Sequence, residues 1–353
     1  MNFASDNAAM VAPEIIAALS RANEGYALGY GNDEWTKRVE TRFAEIFNHE
    51  VAVFLVPTGT AANALALAHL TPPWGAVLCH TESHVMVDEC GAPEFFGGGI
   101  KLIGIPGEAG KITPEALQAA LDGNQWGAPH HVEPAALSLS QATEAGTIYR
   151  PHELRSLADL AHERGLAVHM DGARLANALA RLNAAPDEAT WQSGIDVLSF
   201  GATKNGTLAA EAIVFFDPAR SAGMSARRKR GGHLFSKHRY IAAQMEAYLT
   251  DDLWLKLARH ANAMADTLRD GLLSAGLTPP WPVEANEVFV VMPNRLCERL
   301  KAVGVGFYAW PTDSLPKGMT VGRDETLVRL VTSFATMAGD VDRFIAAIKE
   351  TGT

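Results

Sequence analysis

Seven short apolar segments, most of them separated by connections long enough to form a helix, constrain the fold of this chain most strongly. Such segments are typical of buried β-strands, and connections of helical length between strands favour parallel pairing. The sequence therefore predicts an α/β fold with a mostly parallel seven-stranded sheet that is covered by helices on both faces. The predicted strands are residues 51–56, 76–79, 100–105, 135–140, 166–170, 195–200 and 212–216.

The pattern changes after about residue 220, where a long helical stretch is followed by short strands and one final helix. This part of the chain predicts a smaller C-terminal α+β domain. We expect an N-terminal arm with the first helix (1–24), a large domain (25–235) and a small domain (236–353). The elements predicted for the C-terminal part are a helical stretch at 235–275, strands at 288–292, 307–310 and 327–332, and a helix at 340–349.

Two predicted strands end in side chains that carry chemistry. Lys204 follows the strand at 195–200, and Asp171 follows the strand at 166–170. Taken alone, a lysine after a strand is more often a solvated surface charge. In a parallel sheet, however, both residues would lie at the carboxyl edge, where open α/β sheets bind ligands. An amine that condenses with a carbonyl and a carboxylate that keeps a pyridine nitrogen protonated are the two groups that pyridoxal phosphate needs.

A third segment has the character of an anion site. The strand at 51–56 runs directly into Pro57-Thr58-Gly59-Thr60-Ala61-Ala62-Asn63 and then into a helix. A strand, then small residues, then a helix N-terminus directs free backbone N–H groups at an anion such as phosphate. A plain turn with an N-cap accounts for the same residues equally well. The segment matches neither the Walker loop nor the Gly-x-Gly-x-x-Gly dinucleotide motif.

Composition narrows the class of ligand. The net charge of −10 disfavours a nucleic-acid or an anionic membrane surface, since both require a basic field. The three cysteines have no paired spacing and no histidine set that predicts a metal site. No segment approaches the roughly 20 apolar residues of a membrane span, and no secretory signal is recognised. We therefore expect a cytoplasmic protein that acts on a small molecule.

Six segments together resemble a known family. The sequence resembles the low-specificity L-threonine aldolases of the β-eliminating lyase family, which are pyridoxal-phosphate enzymes of the aspartate aminotransferase-like fold. The segment Gln141-Ala142-Thr143-Glu144 is similar to the branch that includes phenylserine-cleaving relatives; many members carry Glu-Asn-Thr-His at 140–143. The matching segments are Phe3-Ala4-Ser5-Asp6-Asn7, residues 57–63, Ser83-His84 with Glu89 and Gly91, residues 169–174, residues 201–206 and Val328-Arg329-Leu330-Val331.

The resemblance implies a role for each matching residue. Lys204 would hold the cofactor through its amine, Asp171 would pair with the ring nitrogen, and His84 would stack on the ring. A clamp for the substrate α-carboxylate is implied for Arg329 with Ser5, with Arg174 beside it. Further cofactor contacts are implied for Gly59, Thr60, Arg174, Gln141, Thr203 and Lys237, a substrate contact for Tyr30 from a neighbouring subunit, and a catalytic role for His130, with His131 as the alternative position.

The function implied by the resemblance is retro-aldol cleavage of L-threonine, L-allo-threonine and related β-hydroxy-α-amino acids such as phenylserine to glycine and an aldehyde. His84, His130 or a bound water are the alternatives for the base. An aminotransferase and a β-eliminating lyase of the same fold are the alternative activities, and a cofactor-binding regulatory protein without turnover is the alternative from a different class. The resemblance also implies a homo-oligomer, a dimer or a homotetramer, because two subunits share each active site in this fold.

Overall fold

A computed structural model describes residues 1–123, 126–127 and 129–350, and it contains the predicted large sheet. The sheet has seven strands in the order β1-β7-β6-β5-β4-β2-β3, and only β7 runs antiparallel to its neighbours. The predicted mostly parallel sheet is thus confirmed. The strands are β1 (Ala52–Val56), β2 (Gly75–His80), β3 (Lys101–Ile105), β4 (Glu133–Ser140), β5 (Ala167–Gly172), β6 (Val197–Phe200) and β7 (Glu211–Phe215).

Helices cover both faces of this sheet because its central strands are apolar on both sides. Successive residues of a strand point to opposite faces, so Leu198 of β6 packs into the largest core cluster while Val197 packs into a separate cluster with residues of the helix that follows β1. The helices are α1 (Pro13–Ala22), α2 (Glu34–Ile46), α3 (Gly59–Leu70), α4 (His84–Val87), α5 (Ala92–Phe96), α6 (Pro114–Gly123), α7 (Pro151–Glu163), α8 (Leu175–Leu182), α9 (Met224–Arg230), α10 (Arg239–Leu249), α11 (Leu253–Ser274), α12 (Asn294–Ala302) and α13 (Ala338–Lys349).

A second, three-stranded antiparallel sheet forms the C-terminal part, in the order β8-β10-β9. Its core includes residues of α11, α12 and α13 together with Phe3 from the N-terminal arm. The small α+β unit is therefore confirmed, with the arm as an additional part of its core. Its strands are β8 (Glu287–Pro293), β9 (Tyr308–Ala309) and β10 (Glu325–Val331).

The helical stretch predicted for residues 235–275 consists of two helices, α10 and α11. A short 3-10 turn at Thr250–Asp252 separates α10 from α11, and Asp251 and Asp252 both adopt positive φ angles. Aspartate tolerates this left-handed conformation better than most residues, which ends a helix without any glycine or proline. α10 packs into the core of the large sheet, and α11 contributes residues to the cores of both sheets. The domain boundary expected at residue 236 stays a prediction.

Within the described ranges, no helix is both long enough and apolar enough to cross a membrane.

Candidate active site

The carboxyl ends of β5 and β6 border a cavity of about 600 Å³ that contains the predicted lysine and aspartate. β5 and β6 pair in parallel, with Asp171 opposite Ser199. Lys204 lies four residues past the end of β6, in a short 3-10 turn at Thr203–Asn205. Its amine forms no ion pair with any of the residues described. Lys204 is thus a positioned amine in a cavity and not a partner in a surface salt bridge.

Asp171 is held in its ionised form. It is buried, with Oδ2 accepting a hydrogen bond from Asn63 Nδ2 at 2.8 Å and Oδ1 accepting one from the Ala173 backbone N–H at 3.0 Å. Burial alone would raise the pKa of this carboxyl. The charges of His84 and Lys204 outweigh burial, so the pKa lies below its ordinary value. A buried, ionised carboxylate at this place fits the protonated nitrogen of a pyridine ring.

His84 begins α4 and is oriented from two sides. Its Nδ1 lies 2.8 Å from Glu89 Oε1, and its backbone N–H donates to Glu144 Oε1 at 2.7 Å. The hydrogen bond to Glu89 raises the pKa of the imidazole, opposed by burial and assisted by the charge of Asp171. His84, Glu89 and Asp171 bring ligand-type atoms within 4.8 Å of one another. Because hydrogen bonds with one another and with Asn63 already use these atoms, we assign no metal to them.

The N-terminus of α3 forms an anion site on the wall of the cavity. Thr58 caps the helix by accepting the Ala61 N–H at 3.1 Å, which leaves the N–H groups of Gly59 and Thr60 without an intrahelical partner. A Cβ atom at Gly59 would meet nothing within 4 Å, so the space beside this turn is open. The first turn of α3 is therefore shaped to receive a phosphate.

Two arginines form the cationic side of the cavity. Arg174 donates from Nε and Nη2 to the carboxylate of Asp6, at 2.8 and 3.1 Å, and its Nη1 lies 3.3 Å from Glu287 Oε2. Both carboxylates are buried, and Asn286 donates to Asp6 at 3.0 Å. Burial would lower the pKa of Arg174, but the two carboxylates outweigh it and raise that pKa. Arg174 is therefore a fixed cation whose orientation the arm and β8 determine.

Arg329 on β10 has hydrogen-bonding capacity to spare. Its Cζ lies 4.0 Å from the centroid of the Trp310 ring, and its Nη1 lies 3.6 Å from Glu287 Oε1, too far for a hydrogen bond. Its buried Nε has no hydrogen-bond partner in the described part of the chain. Burial lowers the pKa of Arg329 from its ordinary value, which still leaves the guanidinium charged. A carboxylate in the cavity would satisfy these donors as a fork.

A buried carboxylate also fixes the turn that carries Lys204. Glu211, at the start of β7, accepts the backbone N–H of Ala202 at 3.1 Å and that of Thr203 at 3.2 Å. The Thr203 hydroxyl in turn accepts the N–H of Ala210 at 3.4 Å. These bonds tie the end of β6 to the start of β7. The position of Lys204 therefore depends on contacts between neighbouring strands and not on its own turn alone.

Most residues singled out from the sequence meet in this cavity. Nine of them line it: Ser5, Gly59, Thr60, His84, Asp171, Arg174, Thr203, Lys204 and Arg329. Ser5 accepts the Asn7 N–H at 3.1 Å and so caps the short turn of the arm.

The structure does not bring the other four residues into the cavity of a single chain. His130 lies in an exposed turn before β4, and the eight residues of β4 separate it from the carboxyl edge by roughly 25 Å. The side-chain amide of Gln141 is hydrogen-bonded to the backbone of Tyr149: Nε2 donates to the carbonyl oxygen at 2.8 Å, and Oε1 accepts from the N–H at 3.0 Å. Lys237 is exposed. Tyr30 is half-exposed in a loop, and its backbone N–H donates a hydrogen bond to the backbone oxygen of Ser236.

Several residues of the site were missed by sequence reasoning. Asp6, Asn63, Glu211 and Glu287 have no local signal, because each acts on a residue that is distant in sequence or that lies on another strand. Asp6 and Asn63 lie in segments that carried the family resemblance, which was the only signal that could have found them.

The residues present fit pyridoxal phosphate. An amine without an ion pair among the described residues, an ionised aspartate and an open helix N-terminus match the aldehyde, the ring nitrogen and the phosphate of this cofactor. This cavity, at the edge of a mostly parallel seven-stranded sheet, defines a pyridoxal-phosphate-dependent enzyme of the aspartate aminotransferase-like fold.

The chain belongs to the beta-eliminating lyase family, whose model matches residues 2–295. It is 43% identical over 310 residues to a low specificity L-threonine aldolase of Pseudomonas aeruginosa, covering 87% of this chain and 89% of that protein. A low specificity L-threonine aldolase from a Pseudomonas species is 42% identical over 310 residues, which cover 87% of this chain and 89% of that protein. A solved threonine aldolase structure from Leishmania major is 27% identical, with a TM-score of 0.92, covering 100% of this chain and 99% of that one.

Proposed function

We propose that the chain is a carbon-carbon lyase that cleaves L-threonine, L-allo-threonine and related β-hydroxy-α-amino acids, phenylserine among them, to glycine and an aldehyde. The observation that carries this proposal is that Lys204, Asp171 and Arg329 line one cavity, where the buried Nε of Arg329 has no hydrogen-bond partner among the described residues. The identity of 43% to a low specificity L-threonine aldolase supports the choice of reaction within the family.

Each residue contributes one part of the chemistry. Bound pyridoxal phosphate supplies a protonated ring that accepts the electron pair released at Cα. Asp171 keeps the ring nitrogen protonated, and the N–H groups of Gly59 and Thr60 hold the phosphate. The half-buried imidazole of His84 lines the cavity and would contact the cofactor ring, and Lys204 would present its amine to the cofactor aldehyde.

The arginines orient the substrate. Arg329 binds the α-carboxylate through its free donors, and Arg174, held by Asp6, supplies the second positive charge. A carboxylate held at this side would fix the orientation of the substrate in the cavity. Glu287 lies between both guanidinium groups and prevents an excess of positive charge when no substrate is bound.

Assembly and location are part of the same proposal. We propose a homo-oligomer, a dimer or a tetramer, in which the exposed loop around Tyr26, Leu28 and Tyr30 contacts a second copy. Residence in the cytoplasm agrees with the three free cysteines. Light scattering of the purified protein tests the assembly, and a monomer would contradict it.

Product analysis tests the proposed reaction. Purified enzyme with pyridoxal phosphate is expected to convert L-threonine to equal amounts of glycine and acetaldehyde. Release of ammonia with a keto acid would indicate β-elimination instead. Conversion of the cofactor to its amine form, reversed by a keto acid, would indicate an aminotransferase. Either result would overturn the proposed cleavage.

A further inference from the structure

The cavity contains a further acidic side chain. Glu144 lines the cavity, and its two oxygens have different surroundings. Oε1 accepts the backbone N–H of His84 at 2.7 Å and the hydroxyl of Ser140 at 2.8 Å. Oε2 is buried and has no hydrogen-bond partner within the described residues. Two donors fix Oε1, so the carboxyl has a defined orientation, and Oε2 keeps its full capacity to accept a hydrogen bond or a proton.

His84 is the other titratable group placed to act as a base, but its environment opposes that role. The hydrogen bond from Nδ1 to Glu89 raises the pKa of the imidazole, and the charge of Asp171 acts in the same direction. A raised pKa increases the protonated fraction at neutral pH, and a protonated imidazole accepts no further proton. His130 lies outside the cavity of the single chain. Glu144 is therefore the better candidate.

We propose that Glu144 is the base that takes the β-hydroxyl proton of the substrate, through Oε2. The inference rests on the proposed aldol cleavage. In this step the O–H bond breaks and its proton passes to Oε2, while the electron pair of the oxygen forms the carbonyl of the aldehyde. The bond between Cα and Cβ breaks, and its electron pair remains at Cα.

The surroundings of Glu144 suit this role. Burial raises its pKa to about 7, and the negative charge of Asp171 contributes. A base is most effective when its pKa lies near the working pH, because it is then partly ionised and still basic. The titratable and charged groups that face Glu144 are His84 on α4, Asp171 on β5, Arg174 beyond β5, Cys79 on β2 and Tyr149 before α7.

The test compares Glu144→Gln with the unaltered holoenzyme and with Glu82→Gln. The glutamine keeps an oxygen for the two donors of Oε1 but cannot take a proton. Glu82 is a matched control, because burial also raises its pKa while it does not line the cavity. Aldehyde release is measured across pH, and the visible absorbance of bound cofactor reports the integrity of the site independently of turnover.

The unaltered enzyme is expected to gain kcat by about tenfold per pH unit below pH 7 and then to level off. Glu144→Gln is expected to lack this rising limb of the pH profile. Its kcat should fall by about 100-fold or more, with KM and the cofactor band little changed. Glu82→Gln should keep both the pH-dependent rise and the kcat of the unaltered enzyme. A Glu144→Gln enzyme within about threefold of the unaltered kcat, with the limb unchanged, would overturn the inference alone. An unaltered enzyme that releases no aldehyde would overturn the proposed function as well.

A second variant tests the same proposal through a milder change. Ser140→Ala removes one hydrogen bond that favours the ionised form of Glu144. The rising limb of the pH profile should move to higher pH by about 0.5 to 1 unit, while the plateau is retained. A limb that stays in place in Ser140→Ala would contradict Glu144 as its source.

Discussion

Asp6→Asn is the substitution whose effect the structure allows us to work out most fully. Asp6 is 3% exposed and accepts three hydrogen bonds, two from Arg174 and one from Asn286. Removing one partner of a buried ion pair costs about 3 to 5 kcal/mol, because the other charge remains buried. Glu287, 3.3 Å from Arg174, still compensates part of that charge. We therefore expect a loss of about 3 kcal/mol in the free energy of unfolding.

The assay is urea unfolding at one protein concentration with saturating cofactor, because both affect the apparent stability. Asp270→Asn is the control: Asp270 pairs with Arg269 at 2.9 Å, but its side chain is 66% exposed. An exposed pair contributes about 0 to 1 kcal/mol. Asp6→Asn should also raise KM for the amino acid, because Arg174 loses the partner that orients it. If the two variants unfold with equal free energies, the reasoning on the buried pair is refuted.

Three further predictions concern the arginine clamp, the imidazole and pH. Arg329→Lys should raise KM by about tenfold or more, because an ammonium cannot form the forked bond to the α-carboxylate; an unchanged KM would contradict the clamp. His84→Asn should lower cofactor affinity in a titration of the visible band, and unchanged affinity would remove the packing role. Burial raises the pKa of Glu211 to about 7, opposed mainly by its hydrogen bonds with Thr203. A raised folded-state pKa stabilises the fold below the ordinary value of 4.5, and this stability is lost as pH rises through about 7. The ionisation of Glu211 should therefore lower the free energy of unfolding by an amount on the order of 3 kcal/mol between pH 4.5 and 8. Glu211→Gln should lack this decrease, and a variant with the pH dependence of the unaltered protein would contradict the prediction.

The large sheet was predictable because its strands are apolar on both faces. β5 and β6 are buried at every position, and each ends at a glycine or in a turn of small residues. Strand ends and parallel order together place Asp171 and Lys204 at one edge. The start of α3 at Gly59 was less predictable, because glycine disfavours a helix. The helix begins there because the Thr58 side chain caps it by accepting the N–H of Ala61.

The remaining features depend on contacts between distant segments. The pairing of Asp6 with Arg174 joins the arm to the end of β5, and no local pattern indicates it. The break between α10 and α11 lies at two aspartates with positive φ, where the sequence has no glycine or proline. Gln141 was assigned to the cofactor by resemblance, yet its amide is bound to the backbone of Tyr149.

The central claim is that Lys204 holds pyridoxal phosphate, and covalent trapping tests it most directly. Borohydride reduction of the holoenzyme, followed by peptide mass mapping, is expected to place one pyridoxyl group on Lys204. Lys204→Ala should carry none. A label on another lysine, such as the exposed Lys237, or no label on the unaltered enzyme, would contradict the account.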